Sequence, residues 1–130
     1  MDDGVQKAVT RFFDDFVDAF RTFDGDVIAQ RYLSPYLASH VGRPSDCFTT
    51  QSAIARYFQK VVDEYHGKGC RSCRYEELEV VLLGEASVLG TVTWELLHED
   101  GRVLSRWRES YNLARDGEGL KVFCSVDHAG

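Results

Sequence analysis

The feature that most constrains this chain is a change of rhythm near residue 70. Before it, apolar residues recur about every 3.6 positions, and after it they alternate with a period of about 2. Val9, Phe12, Phe13, Phe16, Val17 and Phe20 form one helical stripe, with Lys7, Arg11, Asp14, Asp15 and Asp18 elsewhere on the helix surface. Ile54, Tyr57, Phe58, Val61, Val62 and Tyr65 form a second stripe, which Thr49 or Thr50 can cap and Gly67 can stop. Between the two, "FDGD" breaks the first helix; Gly25 suits a positive φ and Asp26 can cap the next turn. "VIAQRYL" reads as a short helix ended by Pro35, and "PYLASHVGRP" as a brief strand and turn.

Past residue 73, "RYEELEVVLLG", "ASVLGTVTWELLHEDG", "RVLSRWRESYNLARDG" and "LKVFCSVDHA" read as four strands. "GEA", "EDGR" and "DGEG" join them, each with a glycine for a hairpin turn. Helices followed by an antiparallel meander define an α+β class, with the helices packed on one face of a curved sheet.

Totals narrow the function. The 130 residues suffice for one domain spanning 1–130, and 44% hydrophobic with 28% charged residues is a globular balance. A net charge of −6 argues against nucleic acid and against an anionic membrane surface. No apolar run approaches the ~18 residues of a membrane span. The start, "MDDGVQKAV", carries acids where a secretion signal carries basic residues, so the expected location is cytoplasmic. In that reducing setting Cys47, Cys70, Cys73 and Cys124 are expected as free thiols. Cys70 and Cys73, in "GCRSCR", have the spacing of a metal clip or redox pair. Zinc needs further ligands, and only Cys47 and His66 are near in sequence; a redox pair belongs at a helix start after a strand, the reverse of the order here. The stretch therefore reads as a connecting loop. No metal and no cofactor are expected, and no nucleophile elbow, phosphate loop or dinucleotide fingerprint occurs.

Strand parity selects the inward residues. If Trp94 faces inward, so do Val92 and Leu96, and the matching sets are Trp107, Glu109, Tyr111, Leu113 and then Val122, Cys124, Val126, His128. Thr91, Thr93, Glu95, Arg106, Arg108, Ser110, Lys121, Ser125 and Asp127 then face outward, on a surface polar enough for solvent or a partner. A bulge would shift that register. Glu109 is the unexpected inward member. Between Trp107 and Tyr111 it must be paired, protonated or open to a water-filled pocket. It reads as a pocket acid or base; the other reading places it near a strand end or pairs it with an arginine such as Arg31.

The element order, with "GDVIAQRYL", "PYLASHVGRP" and the tail "DGRVLSRWRESYNLARDGEGLKVFCSVDHA", resembles the NTF2-like superfamily, also called SnoaL-like or ketosteroid-isomerase-like. The resemblance spans nearly the whole chain, with Leu120 where a tryptophan is common. It implies a cystatin-like cone whose sheet and helices enclose a blind apolar pocket, and a homodimer through the sheet. The superfamily includes isomerases, cyclases, dehydratases and subunits that only bind. Its steroid isomerases place an aspartate base on the short strand after the second helix, and His40 falls at about that position. They also use a phenol on the first helix, where "RFFDDF" offers only phenylalanines, which argues against that particular reaction.

Two functions remain open. In the first, His40 and Glu109 are an acid–base pair in an aromatic pocket lined by Trp94, Trp107 and Tyr111. Tyr32, Tyr36 and Tyr57 are possible phenol donors and His128 lies at the mouth. The ligand is then small and apolar or aromatic. In the second, side chains fill the cone and the protein is a non-catalytic dimeric binding module. A cavity above roughly 300 Å³ that exposes both His40 and Glu109 favours the first.

Overall fold

A computed structural model describes residues 3–117 and 119–128. Helix α1 (Asp3–Phe20) is followed by α2 (Gly25–Ala29), β1 (Tyr32–Ser39), β2 (Asp46–Phe48) and α3 (Gln51–Gly67). Four longer strands complete the chain: β3 (Ser72–Leu82), β4 (Ser87–Leu97), β5 (Val103–Asp116) and β6 (Gly119–Asp127). They form one curved sheet in the order β2-β1-β6-β5-β4-β3. All neighbours are antiparallel except β1 and β6, which run parallel.

The first stripe buries against the inner face of the sheet: Val9, Phe12, Phe13, Phe16 and Val17 are all buried. Phe13 lies over Gly90 of β4, where a Cβ would come within 2.8 Å of the ring. Arg21 ties the end of α1 to β3 by donating to the Cys73 carbonyl at 3.1 Å. The second stripe divides. Ile54, Phe58 and Val62 enter the core, whereas Tyr57, Val61 and Tyr65 are half-buried and form a wall. Thr50 caps α3 by accepting from the Ala53 amide at 3.1 Å.

Several local expectations are corrected. Phe23, at φ 52°, makes the left-handed turn after α1. Gly25 instead opens α2 and lies against α3, where a Cβ would overlap the Ala55 carbonyl oxygen. Its amide also donates to the Gln59 side chain, at Oε1, 2.7 Å away. Asp24, not Asp26, caps α2, accepting from the Asp26 amide. The helix stops at Ala29, and Tyr32 and Leu33 already belong to β1, because Tyr32 pairs with Val122 in the sheet. The three-residue β2 lies within a stretch that gave no strand signal. Cys73 sits in β3 rather than in a loop.

Candidate functional site

Between α3, β1 and the inner face of β4 to β6 lies a cavity of about 480 Å³. Phe20, Phe58 and Leu96 contribute apolar surface, and the sheet supplies Trp94, Trp107 and Tyr111. Tyr32 and Tyr36 come from β1, Tyr57 and Tyr65 from α3. Val41 and Arg43, both exposed, mark a rim on the β1–β2 loop. Every residue singled out from the sequence, His40, Glu109, Tyr32, Tyr36, Tyr57, Trp94, Trp107, Tyr111 and His128, lines this one space.

The polar ends of the aromatic walls are mutually satisfied. Trp94 donates its indole N–H to the Tyr111 hydroxyl at 2.6 Å. Tyr36 and Ser125 share a hydrogen bond of 2.6 Å. Both are buried, so losing a partner would leave an unpaired polar atom costing about 1–3 kcal/mol.

Glu109 is the chemical centre. Trp107 donates its indole N–H to Oε1 at 2.8 Å, and Tyr111 donates to the same carboxyl. No lysine or arginine pairs with it among the described residues, Arg31 included. Burial above all, and then the negative field of Asp127, pushes its pKa up to about 8. The carboxyl is thereby held toward its protonated form. Burial also raises the phenols of Tyr32, Tyr36, Tyr57, Tyr65 and Tyr111, with Glu109 adding to each.

Asp127 is one of the residues that parity misassigned, with Cys124, Ser125 and Val126. A bulge in the β5–β6 pairing falls between Asn112 and Leu113, which face Cys124 and Val122, so Phe123 is the extra residue. Past it the faces exchange. Ser125 and Asp127 turn inward, whereas Cys124, Val126 and His128 do not continue the inward row begun by Val122. Asp127 thus sits opposite Glu109, and their carboxyls touch. The run "VFC" was the available signal, since three successive apolar residues break the alternation. His128 reaches the rim, but its Nε2 bonds Ser110 Oγ at 2.8 Å on the outer face.

His40 follows the last residue of β1, and its side chain is only 7% exposed. Its Nε2 is 2.8 Å from Asp46 Oδ2 and its Nδ1 is 3.6 Å from Asp127 Oδ2. Arg43 lies 3.3 Å from Nδ1 and 3.5 Å from Asp46. A carboxyl pushed toward its protonated form, a second carboxyl against it and an imidazole beyond make a site able to donate and accept protons beside an aromatic surface.

The two clustered cysteines have a different environment. Cys70 and Cys73 are buried free thiols, and burial raises both, Cys73 to about 12. A reactive or metal-binding pair needs thiolates, which this setting disfavours. Among the described residues no cluster of His, Cys, Asp or Glu could hold a metal ion. No helix among them is long and apolar enough to cross a membrane.

Solved structures share the architecture. Aln2 from a Streptomyces species superimposes with a TM-score of 0.79 at 14% identity, covering 98% of this chain and 92% of that one. Yeast UBP3-associated protein BRE5 gives 0.73 at 17% identity, with 95% of each chain covered. An NTF2-like family protein from Streptomyces avermitilis, provisionally assigned as a dehydratase, gives 0.69 at 13% identity over 100% of both chains. At such identities the likeness is one of fold. No curated protein matches the sequence. The NTF2-like protein family (DUF6841) matches residues 5–130, and the chain belongs to that family.

Proposed function

We propose that the cavity binds a small apolar or aromatic molecule and that the protein acts on it by cofactor-free acid–base chemistry. Isomerisation, cyclisation and dehydration are the reaction classes that fit. The observation that carries this reading is Glu109, a carboxyl with no basic partner among the described residues, bonded by the Trp107 indole on the wall of a 480 Å³ aromatic cavity. It is the proton donor, and Asp127 with His40 is the acceptor side. The aromatic faces of Trp94, Trp107 and Tyr111 hold a planar or apolar body, with Tyr32, Tyr36 and Tyr57 opposite and His128 at the rim. A filled cone would favour a binding module; a cavity of this size with both His40 and Glu109 on its wall supports the enzyme reading.

The outer sheet face supports a homodimer, since Leu37 and Val126 are 41% and 38% exposed there beside Cys124. A reducing, cytoplasmic setting fits the four free thiols.

The test is a native mass spectrum of protein purified from cells, followed by ligand binding to variants. Glu109→Gln and His40→Ala are each expected to weaken binding or turnover with the fold intact. For a proton-transfer role the loss in turnover is ~10²–10⁴-fold. Full activity in both variants would remove the assignment.

A further inference from the structure

We propose that Asp127, His40 and Asp46 form a proton path that joins Glu109, inside the cavity, to solvent at Asp46, which is not part of the cavity lining. Arg43 sets which imidazole nitrogen carries the proton. The path rests on reading the cavity as an acid–base site and adds to it a second exit for protons, beside Asp127, whose side chain is itself 36% exposed.

His40 stands in the wall with one carboxylate at each nitrogen. Nδ1 faces Asp127, which lines the cavity, at 3.6 Å. Nε2 faces Asp46 at 2.8 Å; Asp46 does not line the cavity and its side chain is 40% exposed. Asp127 in turn lies directly across from Glu109 and touches its carboxyl. Every consecutive group from Glu109 to the surface can accept a proton and release one.

Arg43 settles the direction. A guanidinium only donates, so its 3.3 Å contact makes Nδ1 the acceptor and leaves the neutral ring's proton on Nε2, aimed at Asp46. In that tautomer the ring can gain a proton on the cavity side and lose one on the solvent side. The outward step breaks the Glu109 O–H bond and protonates Asp127. That proton then forms an N–H bond at Nδ1, the Nε2–H bond breaks toward Asp46, and Asp46 releases a proton to water. Glu109 ends as a carboxylate and the ring in its other tautomer; inward passage of one proton restores both. The 3.6 Å contact must shorten by a few tenths of an ångström for transfer. Arg43, whose side chain is 58% exposed, can yield as it does so. The titratable groups around the path come from each element packed on it: Asp46 of β2, Tyr32 and Tyr36 of β1, Asp127 of β6, Glu109 and Tyr111 of β5, and Tyr57 and Tyr65 of α3, with Arg43 on the loop.

The first test is the tautomer of His40 in protein labelled with ¹⁵N-histidine, read by long-range ¹H–¹⁵N spectra and assigned with His40→Gln. The expected neutral ring carries its proton on Nε2; a ring protonated on Nδ1 overturns the proposal. The second is the rate at which the Glu109 carboxyl exchanges its proton after a pH jump, read from its infrared band and assigned with Glu109→Gln. Asp46→Asn keeps the hydrogen-bond acceptor but not the proton carrier, so the Nε2–H tautomer should persist. Exchange should slow by on the order of tenfold or more. An unchanged rate overturns the path. Neither measurement needs a ligand. A cavity that binds nothing therefore sinks the functional reading alone, and an Nδ1-protonated ring sinks the path alone.

Discussion

Glu109 sits where a carboxyl is expensive to ionise, with an indole beside it, a phenol above it and the Asp127 carboxyl across the strand pair. This has a consequence for stability. In the unfolded chain Glu109 titrates near 4.5, and in the folded protein near 8. Between those values the unfolded chain has released the proton and the folded one retains it, so stability falls as pH rises through this window. Below it Glu109 exacts no penalty, and above it the penalty is complete. Glu109→Gln should therefore flatten the profile, recovering a few kcal/mol (~1.4 per pKa unit) at pH 9 relative to wild type and little at pH 4. Urea unfolding at the two pH values checks it; equal slopes in both proteins would contradict the burial argument. Glu109 was legible in the sequence because a single charge interrupts an apolar alternation. Asp127 was not, since it lies past a bulge that alternation alone does not locate. Arg43 and Asp46 were equally hidden, because their meaning comes from the fold of a loop around His40.

The elements differ in how plainly their residues announce them. Helices α1 and α3 follow from their stripes, and β4 and β5 from their alternation, because burial on one face enforces each period. The segment from Gly25 to Ser39 was harder. "VIAQRYL" has helical spacing, but the pairing of Tyr32 with Val122 draws its end into β1, a tertiary demand that local propensity does not carry. Gly25 shows the same limit. Its role is the close approach of α2 to α3, not backbone freedom. Gly25→Ala should thus lower stability by about 2–3 kcal/mol, since the added carbon meets backbone that cannot swing aside. Phe13→Ala, which empties the space over Gly90, should cost about 3–5 kcal/mol. Thermal and chemical unfolding measure both, and a neutral Gly25→Ala would show that the helices can separate without loss.

Seen as a whole, the molecule places its two sheet faces in different service. The inner face carries the aromatic cavity. The outer one carries an ion-pair network in which Glu95 is held by Arg74 at 2.7 Å and Arg106 at 3.6 Å, and Arg108 by Glu79 at 2.8 Å. The stems of these long side chains account for the burial of Thr93 and Glu95 on a nominally exposed surface. The apolar part around Leu37 and Val126 is where a second copy is proposed to dock. Leu37→Glu combined with Val126→Glu should leave a folded monomer by sedimentation equilibrium, whereas an unchanged mass would place any partner elsewhere. The parallel pairing of β1 with β6 bears on how such a protein is made. Tyr36 and Ser125, which close the cavity between them, are 89 residues apart in sequence. A chain emerging from the ribosome therefore holds its aromatic half open until β6 is free, and contacts of such span form slowly. Until β6 is made, that half is an apolar surface without its partner strand, so the growing chain is open to misassociation that the finished fold is not.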